Sequence, residues 1–107
     1  MELYNELQYK IKELTVSLKQ LRDTGTKLAE AEREYKIILR KEALKLRTEG
    51  CAVTLINQIV YGITEVAELR FKRDVSETIY KANQEAINTY KLQIRIIESQ
   101  VDREYRG

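Results

Sequence analysis

From Glu2 to about Thr48 nothing breaks a heptad rhythm: Leu7, Ile11, Leu14, Leu18, Leu21, Gly25 and Leu28 step by alternating four and three residues, the spacing of a coiled-coil seam. The 107 residues contain no proline, so the strongest helix breaker is absent from every position. A helix over 2–48 is about 70 Å long at about 1.5 Å per residue. A rod of that length needs a partner over most of its span. The seam continues less regularly through Ala31, Tyr35, Ile38 or Leu39, Ala43 and Leu46. This drift predicts that Tyr35, Ile37, Ile38 and Leu44 are left partly uncovered by a single partner helix.

Asp23-Thr24-Gly25-Thr26 is the soft spot of this segment, since an interior glycine costs about 1 kcal/mol relative to alanine. The Leu21 to Leu28 spacing stays in phase across it, which favours a continuous helix. The first strong stop is Glu49-Gly50, with Lys45 and Arg47 in the last turn and Gly50 suited to the C′ position. The stretch CAVTLINQIVYG follows. With Thr54 as amino cap and Gly62 as stop, it predicts a short helix over Leu55–Tyr61 that folds back and buries Val53, Ile56, Ile59 and Val60.

From Thr64, another candidate cap, a second long helix is expected to about Tyr105. Val75, Ala86 and Ile97 are spaced by eleven, as are Ile79, Tyr90 and Val101, and an 11-residue repeat favours a nearly straight course. The expected fold is therefore all-α: one domain over 1–107, a long antiparallel coiled-coil-like hairpin with helices at about 2–48 and 64–105. A connection at about 50–63 holds the small helix. Gly25, Ala29, Ala31, Ala82 and Ala86 would let the rods approach closely. Charged residues make up 34% of the chain, a composition typical of long helices, and an elongated chain of this size is expected to gain stability by homo-oligomerisation.

Composition also narrows the chemistry. With no histidine and one cysteine, neither a zinc site nor an imidazole base can be assembled and no intrachain disulfide forms. Glu30 with Glu34 and Glu65 with Glu68 have helical spacing, but the di-iron pattern needs Glu-x-x-His. Cys51 has no histidine to activate it and reads as a small hydrophobe. No enzymatic activity, metal or cofactor is expected. The start MELYNELQYK lacks a basic segment followed by an apolar core, and no apolar run reaches the roughly 18 residues that span a bilayer. A cytoplasmic protein without membrane contact is expected.

The net charge of +2 conceals an uneven distribution. Between Lys36 and Arg73 eight cations (Lys36, Arg40, Lys41, Lys45, Arg47, Arg70, Lys72, Arg73) face four anions (Glu42, Glu49, Glu65, Glu68), an excess that a hairpin gathers toward its connected end. Arg40, Lys41, Lys45, Arg47, Arg70, Lys72 and Arg73 are the candidate contacts to an anion or nucleic acid, with salt-sensitive affinity. Tyr61 and Tyr80 are candidate stacking residues beside them. The competing interpretation is a solvated charged face. Gly62 between two helices invites comparison with a helix-turn-helix, but Gln58 and Glu68 occupy positions where that motif wants small apolar and buried aliphatic residues.

The stretches LRDTGTKLAEAEREYKIILRKEALKLRTEG, VAELRFKRDVSETIYKANQEAIN and IRIIESQVDREY resemble small helical early-region proteins of tailed bacteriophages and prophages of Gram-positive bacteria. The resemblance implies a non-enzymatic viral accessory in the host bacterial cytoplasm and lends no functional residues. Three expectations follow. The first is a self-associating protein with a phage or host macromolecular partner. The second is a nucleic-acid-binding accessory of recombination or replication. The third is an inhibitor or sequestering protein directed at a host defence component.

Overall fold

The computed structural model describes residues 2–106. The element order is α1 (Glu2–Thr48), α2 (Val53–Ile59), a 3₁₀ turn (Val60–Gly62) and α3 (Thr64–Arg106), with no strand among the described residues. The fold is an all-α helical hairpin in which α1 and α3 pack together. Contacts divide it into two compact units, one of Met1–Thr24 with Tyr80–Gly107 and one of Gly25–Ile79.

In the first unit the inward positions of α1 are Leu3, Leu7, Lys10, Leu14, Ser17, Leu21 and Thr24, and those of α3 are Tyr80, Asn83, Ile87, Tyr90, Ile94, Ile97 and Val101. Both sets step by alternating three and four, so each helix keeps one face toward the other. The pairing is antiparallel: Asn83 meets Ser17, whereas Tyr90, one heptad later, meets Lys10, one heptad earlier.

This seam differs from the one expected on α1. Leu7, Leu14 and Leu21 do lie on it, but Ile11 and Leu18 are exposed, and Lys10, Ser17 and Thr24 take the alternate positions. Lys10, Thr24 and the facing Asn83 tolerate the interior because the side chain of each has a partner. Asn83 Nδ2 donates to the Ser17 carbonyl at 3.0 Å. The Thr24 hydroxyl donates to Asn83 Oδ1 at 2.8 Å, with the Leu21 carbonyl a second acceptor at 3.2 Å. Lys10 lies over the rings of Tyr9 and Tyr90 and pairs with Glu13 at 3.4 Å. Thr24 therefore owes its place beside Gly25 to a core hydrogen bond, and α1 runs unbroken through the soft spot.

The second unit is built on Ala31, Tyr35, Ile56, Val60 and Val66, all buried, with Val66 completely enclosed at 0% exposure. Burying a side chain of that size contributes about 2 kcal/mol. At the end of α1, Gly50 has φ +88°. Its N–H donates to the Arg47 carbonyl and that of Cys51 to the Leu46 carbonyl, each at 3.0 Å. This is a Schellman cap with Gly50 at C′, as the sequence indicates.

The small helix starts two residues earlier than expected. The Ala52 carbonyl accepts from Leu55 and Ile56, so Ala52 is the cap, without a side-chain bond, and Thr54 lies inside α2. The helix ends at Ile59 and tightens into the 3₁₀ turn through Gly62. Ile56 and Val60 are buried as expected, but Val53 and Ile59 are exposed, because a seven-residue helix presents one narrow face inward. At the next start the Ile63 carbonyl accepts the Ala67 N–H, which makes Ile63 the cap and moves Thr64 into the first turn.

On α3 the eleven-residue spacing is not the buried one. Ile97 is buried and Tyr90 and Val101 half-buried, but Val75 and Ile79 are exposed. The physical reason is the partner: a single facing helix covers a seam of period 3.5, and the longer repeat collects apolar residues that lie off it. Of the five small residues, Ala31 is buried and Gly25 and Ala86 half-buried, whereas Ala29 and Ala82 face solvent. Of the four residues expected to be partly uncovered, Tyr35 is buried, Ile38 is half-buried, and Ile37 and Leu44 are exposed.

Candidate functional site

The seven candidate cations fall into two groups. Arg40, Lys41, Lys45 and Arg47 are exposed on the last turns of α1, and among the described residues none of them forms an ion pair. At about 3.6 residues per turn, Arg33, Ile37, Arg40, Leu44 and Arg47 share one outward arc opposite the seam, with Lys41 beyond its edge and Lys45 further round toward the seam. Ile37 and Leu44 stand 61% and 65% exposed at its centre. Over 33–48 the cations outnumber the acids, which are Glu34 and Glu42. Glu34 pairs with Lys72 and Glu42 is half-buried. The result is a basic face with an apolar ridge along its middle.

Arg70, Lys72 and Arg73 are engaged within the fold. Lys72 Nζ is 3.2 Å from Glu34 Oε2, an exposed pair of the kind that contributes about 0–1 kcal/mol. Arg73 sits on the inward side of α3, where its guanidinium lies 4.7 Å from the Tyr35 ring centroid and its Nε donates to Asp74 at 2.9 Å. Arg70 stacks over Tyr61 at 5.2 Å. Cation–π contacts such as these contribute about 0.5–2 kcal/mol to packing.

The two candidate stacking residues separate in the same way. Tyr61 is exposed but carries the Arg70 guanidinium on its ring. Tyr80 is half-buried on the α1–α3 seam and is a packing residue. Cys51 is half-buried directly after the Gly50 cap. Near the connection the helix-turn-helix comparison fails on geometry as well, since α2 spans seven residues and passes through a 3₁₀ turn before α3.

Two polar clusters in the first unit are not legible as such in the sequence. One is the Ser17, Thr24 and Asn83 layer. The other joins Lys10, Glu13 and Tyr90: the Tyr90 hydroxyl bonds Glu13, and that bond, followed by the Glu13 charge, raises the phenol above its ordinary 10.0. The only sequence signal for either is the recurrence of polar residues at the alternate heptad positions 10, 17 and 24.

Among the described residues no group of three or more His, Cys, Asp or Glu side chains is arranged to hold a metal ion. No helix among the described residues is long and apolar enough to cross a membrane. The fold and surface define the chain as an all-α hairpin that displays a basic helix face with exposed aliphatic residues. Comparison with protein-family models, with curated proteins and with solved structures gives no match.

Proposed function

We propose that the protein is a non-enzymatic accessory, of the phage or prophage kind the resemblance implies, that self-associates and binds a macromolecular partner in the bacterial cytoplasm. The carrying observation is what remains once the α1–α3 seam is filled. Tyr4, Ile11 and Leu18 in one unit, and Ile37, Leu44, Phe71 and Val75 in the other, still face solvent at helical spacing. Apolar side chains repeated along a helix face support an interaction surface. Light scattering on the purified chain at micromolar concentration tests the self-association. The expected mass exceeds the 12.6 kDa of one chain, and a clean monomer with a cooperative melt refutes it.

A second reading, nucleic-acid binding, is favoured by one specific observation: Arg40, Lys41, Lys45 and Arg47 lack ion pairs among the described residues and stand exposed within about two turns at the end of α1. Four phosphate contacts predict that log K falls with log salt at a slope of about −3 to −4. Fluorescence anisotropy with single- and double-stranded DNA measures this. Binding that is indifferent to salt, or that survives joint replacement of the four residues by Gln, eliminates the reading.

A further inference from the structure

Side chains 4, 7, 11, 14, 18 and 21 of α1 are Tyr, Leu, Ile, Leu, Leu and Leu. Leu7, Leu14 and Leu21 belong to the seam with α3, yet each is only half-buried. Tyr4, Ile11 and Leu18 lie one position further round the helix and are 56%, 39% and 46% exposed. The six residues form a second seam of about five turns, roughly 26 Å long, that shares half its members with the first. A helix that carries apolar residues both at a core position of its heptad, here 7, 14 and 21, and at the flanking one, here 4, 11 and 18, offers surface to two neighbours. Within the first unit it has one.

We infer that the second neighbour is α1 of another copy of this chain, packed antiparallel, so that two hairpins meet through their first helices. This names the surface of the self-association proposed above and rests on that reading.

Three observations point to a second copy. The seam steps by three, four, three, four and three, which only another helix in heptad register fills along its length. That order is the same in both directions. A two-fold contact requires residue i to meet j while j meets i, and here Tyr4 opposes Leu21, Leu7 opposes Leu18 and Ile11 opposes Leu14. Finally, the stripe carries no charge, and its near flank, Gln8 and Thr15, carries none until Arg22 at the far end. Nothing on it selects an acidic or basic partner, and nothing repels an identical face. The other exposed ridge, Ile37 with Leu44, fails this criterion, because a homotypic contact there would oppose Arg40, Lys41 and Arg47 to one another.

A contact through one helix pair lies at the small end of stable interfaces, so the dimer is expected to dissociate on dilution. The test is sedimentation equilibrium across a concentration series with the wild-type chain, an Ile11→Lys/Leu18→Lys variant and a Leu92→Lys/Ile96→Lys control at two exposed positions of α3. Circular dichroism checks that each stays helical, and Leu18→Gln serves if the double variant unfolds. The wild-type and control masses should approach twice 12.6 kDa while Ile11→Lys/Leu18→Lys stays at one chain. A wild-type chain that remains monomeric throughout overturns both this surface and the self-association reading. Oligomers that persist in the helical Ile11→Lys/Leu18→Lys variant, or vanish equally in the control, overturn the surface alone.

Discussion

Replacing Asn83 with Ala is the most direct probe of what sets the packing of α1 on α3. Asn83 is buried at 9% exposure and makes two hydrogen bonds to α1, donating to the Ser17 carbonyl and accepting from Thr24. Each is worth about 1 kcal/mol net. The Ser17 carbonyl keeps its place in the helix, and the Thr24 hydroxyl retains the Leu21 carbonyl as acceptor, so no donor is stranded. The small void left by the amide adds about 1 kcal/mol. The expected loss is therefore about 2–3 kcal/mol, a fall in melting temperature of about 10 °C or more for a chain of this size.

Urea melts followed by helical circular dichroism, at one fixed protein concentration because association would shift the midpoint, measure it. Asn83→Leu is the informative contrast. An aliphatic residue at a core heptad position keeps or raises stability while giving up the polar pairing that fixes register. Thr24→Val combined with Asn83→Ala should fall short of additivity by about 1 kcal/mol. The reasoning fails if Asn83→Ala costs under about 0.5 kcal/mol, within the scatter of surface substitutions, or if the double variant is strictly additive.

Two further outcomes follow from other parts of the fold. Gly50 holds φ +88°, and a β-carbon at this position would meet no atom within 4 Å, so Gly50→Ala should cost about 1 kcal/mol through backbone strain alone and Gly50→Asn less; chemical denaturation compares them. For Tyr90, the raised phenol means that the folded state favours its protonated form. The Glu13 bond then stabilises the fold below pH 10.0, the ordinary tyrosine value, and is lost as pH rises through the higher folded value. Spectrophotometric titration should show a late-ionising phenol, and Tyr90→Phe should remove that component.

The hairpin and its turn are readable in the sequence because their signals are local. Uninterrupted helix formers define α1, and a glycine that alone tolerates positive φ ends it at Gly50. The choice of seam is not readable. Leu7, Leu14 and Leu21 pair equally well with Ile11 and Leu18 or with Lys10, Ser17 and Thr24, and apolar periodicity favours the former. What decides is cross-helix satisfaction of polar groups by Asn83 and Tyr90, far away along the chain, and no one-dimensional pattern carries that. The same holds for the basic residues. Their clustering is visible, but that Arg73 belongs to Tyr35 and Lys72 to Glu34 depends on which helix faces are opposed. Thr54 and Thr64 fall inside their helices for a simpler reason: the backbone carbonyls of Ala52 and Ile63 begin α2 and α3, and a nearby hydroxyl is not needed.

The short helix α2 has a consequence for how the chain is dismantled. It spans seven residues, has no side-chain cap and is anchored by Ile56 and, just beyond it, Val60. Opening it exposes about two aliphatic side chains, on the order of 4 kcal/mol, whereas fraying the interior of α1 or α3 must disrupt the seam as well. Amide protons of 55–62 should therefore exchange with solvent ahead of those in the long helices. A protease given the native chain would make its first cut there, leaving the two long helices as separate but still associated fragments.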